Sequence, residues 1–153
     1  MAVYHLTNLY YARQADFERF LLVDGGLYPL LFWGGYVLVG SVLPLLNSST
    51  GLVCNAFLPD AETAALREEE LRLPAAPSPA ALAATMSELQ RRHIQAVHGS
   101  LMAGVNALSA PLFAGGQRLA GVITIVGAAP GFMAESDGEA ARRLLEVAEA
   151  IST

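Results

Sequence analysis

The stretch Leu43–Pro59, LPLLNSSTGLVCNAFLP, decides how this chain folds, because four small polar residues lead directly into an apolar run. The polar residues Asn47–Thr50 are types that cap helices, and Leu52–Leu58 is apolar enough to form a buried helix. With Asn47 or Ser48 as the N-cap, the residue three positions on is neither the Glu nor the Gln of a capping box. Free backbone N–H groups beside hydroxyl groups suit a small anion such as a carboxylate. The alternative is an ordinary polar cap on a core helix.

Composition limits the class of protein. The 153 residues are 54% hydrophobic and 15% charged, which excludes a disordered chain and predicts one domain over residues 1–153 with a large core and apolar subunit contacts. We therefore expect a homodimer or homotetramer. The net charge of −5 and the lack of a basic cluster argue against direct nucleic-acid binding by this chain.

The lone cysteine and the N-terminal segment bear on localisation. Cys54 cannot form an internal disulfide, and the first residues lack the pattern of a signal peptide, so we expect a cytoplasmic protein. Residues 25–59 carry no charge, but proline and paired glycines break this segment into strand-sized pieces, which argues against a membrane span.

Two groups of strands are predicted. A short helix at residues 4–14 precedes three strands at residues 17–23, 27–32 and 36–42, which form a β-meander. Two further strands at residues 105–113 and 118–126 are joined by a turn containing Gly115 and Gly116, which permits a tight hairpin.

Three helices are predicted besides the one that follows the polar cluster. One spans residues 60–70 and is exposed. The next begins at Ser78, followed by Pro79, and continues to Gly99. The last begins with a capping box and has its inner stripe at Ala140, Leu144, Val147 and Ile151; the box is formed by Ser136 and Glu139. Tight hairpins joined to helices predict an α+β domain with an antiparallel sheet flanked by helices.

Two sequence blocks resemble the effector-binding domain of IclR-type bacterial transcriptional regulators. That family carries Leu-Pro-x-His-Ala-[Thr/Ser]-[Ala/Gly]-x-Gly-Lys-Ala, and the residues that fall in register are Leu43, Pro44, Ser48, Gly51 and Ala56. A second family block, Ala-Ala-Pro-[Val/Ile]-Phe with a turn at Gly and a strand ending Ser-x-Ser-Gly-Pro, is similar to residues 109–113, 115–116 and 124–127.

The resemblance implies a GAF-like fold that encloses a small organic effector and is attached to a winged helix-turn-helix, which this chain lacks. It implies no cofactor and no enzymatic activity. The effector-facing residues that it implies are Ser49, Thr50, Gly51, Val105, Ala107, Ser109, Thr124, Val126 and Phe32. For the two strand hydroxyls, at Ser109 and Thr124, bonding to neighbouring backbone is an equal alternative.

The chain departs from the family at charged positions. Leu46 replaces the family's His, Leu52 its Lys and Ala128 its Pro. An acidic turn of the family is replaced by residues 100–104, which include Met102. The resemblance implies a small carboxylate as the effector, whereas these changes predict a more apolar or aromatic acid, or a pocket that has lost its ligand.

Two other functions are open. A GAF-like redox enzyme would use Cys54, although a free cysteine inside an apolar helix is more often a buried hydrophobe. A dimerisation module would bind no ligand. His93 and His98, predicted on different faces of one helix, show no spacing of a metal site or nucleophilic triad.

Overall fold

Helix α1 (Ser49–Phe57) begins within the polar cluster, as the sequence predicts, in a computed structural model that describes residues 43–129 and 131–152. The elements that follow are α2 (Asp60–Leu71), α3 (Pro79–Arg92), β1 (Gln95–His98), β2 (Val105–Ala114), β3 (Arg118–Ala128) and α4 (Glu139–Ile151). The predicted helix at residues 4–14, the β-meander at 17–42 and the site residue Phe32 lie outside the described residues. The α+β class is confirmed by four helices and a three-stranded antiparallel sheet in the described part.

The predicted β2–β3 hairpin is confirmed. The strands run in the order β1-β2-β3, and the register pairs Ser109 with Thr124 and Ala107 with Val126. Gly115 and Gly116 both have positive φ angles, 61° and 91°, which residues other than glycine rarely adopt in succession. Directly paired residues of antiparallel strands lie on the same face of a sheet, so both pairs occupy one face.

Helices pack against both strands of this hairpin. Helix α1 contacts β2 and β3 and is itself covered by α2 and α3, whereas α4 packs against β2 and β3. Leu108, Ala110 and Leu112 alternate with Ser109 along β2, and all of them are buried. A central strand that is buried on both faces places the core at β2.

Helix α3 is shorter than the sequence predicts. Ser78 accepts a hydrogen bond from the Ala81 amide and Pro79 occupies the first turn, as expected, but the helix ends at Arg92 and not at Gly99. His93 adopts the left-handed conformation with a φ of 55°, which stops the helix. The next residues form β1, so His93 and His98 do not share a helix.

The cause of this error is the apolar spacing, which continues through Val97 and fits both structures. Residues 95–98 are more stable as a strand than as a helix, because their backbone groups then form hydrogen bonds with residues 106–109 of β2. Short apolar segments are ambiguous between helix and strand until such a partner is known.

Helix α4 begins later than the predicted capping box. Its N-cap is Gly138, without a side-chain cap, and the Ser136 carbonyl instead accepts a hydrogen bond from Arg92 Nη2 at 2.9 Å. The buried residues of α4 are Ala141, Leu144 and Ala148. Leu144 is therefore buried as predicted. The other two buried residues, Ala141 and Ala148, each lie one position after a residue of the predicted stripe.

In the part of the chain that the structure describes, no helix is both long and apolar enough to cross a membrane.

Candidate functional site

The start of α1 is organised by Ser48. This residue is the N-cap, its Oγ accepts a hydrogen bond from the Gly51 amide at 3.0 Å, and its hydroxyl donates to the Pro44 carbonyl at 2.7 Å. The Leu52 amide bonds to the Ser48 carbonyl. Among the described residues, the amides of Ser49 and Thr50, the first two of α1, have no acceptor, which leaves these donors for another group.

Gly51 lies against the chain segment that leads into α1. A Cβ atom at this position would come within 2.3 Å of the Pro44 carbonyl oxygen and 2.6 Å of the Leu45 carbonyl oxygen. Because Gly51 has no side chain, the backbone of α1 can lie close to the Pro44 and Leu45 carbonyls. Its backbone amide is already used by Ser48.

Four predicted site residues form a continuous series of hydrogen bonds, which we call the hydroxyl chain: Thr50, Thr124, Ser109 and Ser49. The oxygen–oxygen distances are 2.9 Å between Thr50 and Thr124, 2.8 Å between Thr124 and Ser109, and 2.8 Å between Ser109 and Ser49. Helix α1 is therefore joined to both strands of the hairpin through side-chain hydroxyl groups.

Proton counting gives the hydroxyl chain a direction. Ser109 donates its only hydroxyl proton to Ser49, so it must accept from Thr124, and Thr124 in turn must accept from Thr50. The proton of Ser49 is the one that the chain itself does not use. This hydroxyl lies next to the free amides of Ser49 and Thr50, so the donors at the start of α1 are concentrated there.

Burial differs along the hydroxyl chain. Ser109 is 0% exposed and Ser49 is 3% exposed, whereas Thr50 and Thr124 are half-buried. Of the remaining predicted site residues, Val105, Ala107 and Val126 follow on the same sheet face, with Val126 exposed. The hydroxyl chain is closed at Ser109 and accessible at the Thr50–Thr124 bond.

The β1–β2 loop borders the start of α1. Asn47 Nδ2 donates to the Ser100 carbonyl at 3.1 Å, and the Ser100 hydroxyl donates to the Asn47 carbonyl at 2.9 Å. Leu101 and Met102, at the tip of this loop, are both exposed. The loop that replaces the acidic turn of the family is thus attached to the residue before the Ser48 cap.

Glu70 binds the backbone just before α1, a contact that the sequence did not predict. Its Oε1 accepts a hydrogen bond from the Leu45 amide at 2.6 Å and its Oε2 accepts one from the Leu46 amide at 2.8 Å. Sequence alone gave no signal for this role, because the burial of Thr63, seven residues before Glu70 in α2, is known only from the structure. That spacing places Glu70 on the inner side of the helix, unlike a solvated acidic run.

Cys54 is enclosed in α1. The side chain is 4% exposed, and burial raises the pKa of the Cys54 thiol to about 12. A thiol with so high a pKa stays protonated at neutral pH, and the protonated form is a poor nucleophile. This environment favours a packing role for Cys54 over a role in redox chemistry.

A separate cavity of about 310 Å³ lies beside α3 and β1. Its lining includes Thr85, Glu88, Arg92 and Gln95. It shares no residue with the predicted effector site.

Comparisons with known proteins place the chain in a family. The sequence model of the family described as "Bacterial transcriptional regulator IclR C-terminal" matches residues 35–153. No curated protein matches the chain.

Solved structures share the fold. HmgR of Pseudomonas aeruginosa is 56% identical with a TM-score of 0.68, and the match covers 74% of this chain and 46% of HmgR. The regulator RHA06195 from Rhodococcus sp. RHA1 is 24% identical with a TM-score of 0.60, covering 73% of this chain and 48% of that one. This chain thus spans about half the length of both proteins.

A third structure includes a ligand in its description. It is a double mutant of the PobR inducer-binding domain from Acinetobacter, in complex with 3-hydroxybenzoic acid. It is 15% identical with a TM-score of 0.63, and the match covers 74% of this chain and 68% of the PobR domain. At that identity the likeness supports the fold alone.

Proposed function

Because this chain belongs to the IclR C-terminal family of bacterial transcriptional regulators, we propose that it senses a small organic acid at the start of α1. The observation that carries this proposal is the hydroxyl chain, which brings Ser49, Thr50, Ser109 and Thr124 together beside two backbone amides without a described acceptor. A carboxylate is the complementary group, because it only accepts hydrogen bonds and is stabilised by a helix N-terminus.

The Thr50–Thr124 bond is the point at which such an effector enters. Both residues are half-buried, whereas the Ser49–Ser109 bond is buried. A carboxylate that replaces the Thr50–Thr124 bond accepts the freed hydroxyl proton of Thr50, while Thr124 continues to donate to Ser109. Val126, Ala107 and Val105 then supply an apolar surface for the remainder of the ligand.

An aromatic acid is our preferred effector class. Leu46 and Leu52 stand at the positions of the family's His and Lys, so an apolar ligand body is better matched than a small and strongly hydrated one. The PobR domain, which shares the fold, forms a complex with an acid of this class, 3-hydroxybenzoic acid.

In the whole protein, we propose that effector binding changes the geometry of a homodimer or homotetramer and, through it, the spacing of DNA-binding domains outside this chain. The effector must then bind two quaternary states with different affinities. The chain itself does not contact nucleic acid in this proposal, requires no cofactor and acts as a cytoplasmic sensor without catalytic activity.

Calorimetric titration of a panel of small aliphatic acids and hydroxybenzoates tests the sensing function. We expect at least one acid to bind the wild-type chain, with affinity lost in Thr50→Val, which keeps side-chain shape but removes the hydroxyl that donates to the acid. Thr85→Val is the matched control, because the Thr85 hydroxyl bonds only the Ala81 carbonyl within α3 among the described residues. If no acid of the panel gives a binding signal, the proposal is contradicted.

The second candidate is a ligand-free dimerisation module. The observation that favours it is that the described buried side-chain N and O atoms all have hydrogen-bond partners, including the hydroxyls of the candidate site. This function predicts an oligomer by light scattering whose stability no acid of the panel alters.

A further inference from the structure

Helix α2 holds the segment that leads into α1 through one carboxylate. The two oxygens of Glu70 accept hydrogen bonds from the consecutive amides of Leu45 and Leu46, at 2.6 Å and 2.8 Å. Hydrogen bonds to an ionised acceptor are stronger than those between neutral groups. The backbone at Leu45 and Leu46 is therefore attached to α2 before α1 begins.

The same segment is held from the other side by α1. The Ser48 hydroxyl bonds the Pro44 carbonyl, and Gly51 allows the backbone of α1 to touch the Pro44 and Leu45 carbonyls. Residues 44–48, which we call the entry turn, thus lie between Glu70 and the first turn of α1. Displacement of this turn moves the Ser48 cap and the amides that follow it.

We propose that Glu70 is a positioning residue of the effector site: by holding the entry turn, it sets the orientation of the first amides of α1. This inference deepens the proposed function and rests on it for the ligand, but the effect of Glu70 on the helix start is measurable without one. Neither oxygen of Glu70 needs to touch the effector.

Both side-chain oxygens of Glu70 act as acceptors, a role that suits a carboxylate because it has no donor of its own. A glutamine at this position offers one carbonyl oxygen and one amide N–H₂ group, and the latter would face a backbone N–H. Glu70→Gln therefore replaces one hydrogen bond to a backbone N–H by a repulsive contact between two donors, while the size of the side chain hardly changes. Glu70→Ala removes the support without adding this repulsion.

The neighbouring residue provides a matched control. Glu69 is exposed, and its side chain has no hydrogen bond or ion pair within residues 43–129 and 131–152. Glu69→Gln produces the same charge change one residue away, on the same helix. Any effect of net charge alone appears in both variants.

Amide hydrogen exchange of the full 153-residue chain, resolved by NMR, tests the positioning role without ligand. In Glu70→Gln we expect exchange about tenfold faster at Leu45, Leu46 and Gly51, from the strength of a bond to a charged acceptor. The Gly51 amide decides the question, since it bonds Ser48 and not Glu70. Leu108 in β2 reports on global opening and should change by less than about twofold.

Two results of this measurement would overturn the proposal. Faster exchange at Leu45 and Leu46 with Gly51 unchanged would limit Glu70 to a local role. Equal acceleration at Gly51 and Leu108 would make Glu70 a general stabilising residue. Glu70→Ala must reproduce the result for Gly51, since otherwise the effect comes from the amide introduced by glutamine.

The ligand arm uses 3-hydroxybenzoate as the probe, followed by the panel acid that binds the wild-type chain most tightly. We expect the dissociation constant to rise about tenfold in Glu70→Gln and to change less than about twofold in Glu69→Gln. Unchanged affinity in Glu70→Gln would overturn the positioning role. If no acid binds the wild-type chain, the proposed function fails, while the exchange at Gly51 still decides the effect of Glu70 on α1.

Discussion

Ser109 Oγ donates a hydrogen bond to Ser49 Oγ at 2.8 Å, although 60 positions separate the two residues in the chain. One residue belongs to the central strand β2 and the other begins α1, and both are buried. A buried hydroxyl loses its hydration, so each of these groups depends on the other as a partner. The bond attaches the helix start to the sheet at a fixed point.

Removal of the Ser109 hydroxyl should destabilise the chain. Ser109→Ala leaves the hydroxyls of Ser49 and Thr124 without this partner, and an unsatisfied buried group costs about 1–3 kcal/mol. Urea denaturation measures the change in the free energy of unfolding. Ser87→Ala, at an exposed position of α3, is the control and should lie within about 0.5 kcal/mol of the wild type. Equal stability of the two variants would refute the importance of the Ser109 bonds.

The Thr50–Thr124 hydrogen bond should appear as an energetic coupling. In a double-mutant cycle of Thr50→Val and Thr124→Val, we expect a coupling of about 0.5–1.5 kcal/mol in the free energy of unfolding without ligand. Saturation with a bound acid should reduce this coupling, because the ligand takes the place of the direct bond. A coupling that an acid binding the chain leaves unaltered would indicate that it binds elsewhere.

Gly51→Ala should be strongly destabilising. The added methyl group would lie 2.3 Å from the Pro44 carbonyl oxygen, and the backbone must shift to relieve this contact. Overpacking of this kind costs about 1–3 kcal/mol or more, which thermal unfolding monitored by circular dichroism detects as a lower Tm. Gly131→Ala is the control, since the nearest atom to its added Cβ is 4.0 Å away. A Tm equal to that of the control would show that the entry turn yields easily.

Stability at high pH should depend on Cys54. Its pKa is raised by burial from 9.0 in the unfolded chain to about 12 in the folded chain, so the folded state favours the neutral thiol. The stabilisation is complete below pH 9.0 and is lost as pH rises toward about 12, because the unfolded state then releases a proton that the folded state retains. In that window the contribution falls by about 1.4 kcal/mol per pH unit.

Cys54→Ala isolates this contribution from other groups that titrate at high pH. The difference in the free energy of unfolding between wild type and Cys54→Ala should be constant below pH 9.0 and shift in favour of the variant above it. A difference independent of pH up to 11 would mean that the folded-state pKa is close to its ordinary value. Slow alkylation of the native thiol near pH 8 provides a second measurement of the same environment.

Local sequence was sufficient for several elements. The polar cluster before an apolar run predicted α1 and its cap, Ser78 followed by Pro79 predicted the start of α3, and two glycines predicted the β2–β3 hairpin. Each of these depends on the conformations and hydrogen bonds of residues within one turn, which the residue types themselves restrict. The single domain over residues 1–153 stays a prediction.

Elements whose conformation depends on a distant partner were predicted less well. Residues 95–98 fit a helical pattern, and pairing with β2 makes them a strand. Ser136 fits a capping box, but its carbonyl accepts a hydrogen bond from the Arg92 side chain, and the helix begins at Glu139. In both cases the backbone is bonded by a residue far along the chain, β2 backbone for residues 95–98 and the Arg92 side chain for Ser136, which local residue preferences do not predict.

The sequence by itself determined that Ser49, Thr50, Ser109 and Thr124 are the hydroxyl-bearing residues of α1 and of the two hairpin strands. Only the tertiary structure decided that their hydroxyls bond one another in one order, and that Glu70 holds the backbone before them. Residue type limits what a group can donate or accept, whereas its actual partner depends on packing between elements. Because buried polar groups must find partners, that packing converts four separated hydroxyls into one connected hydroxyl chain.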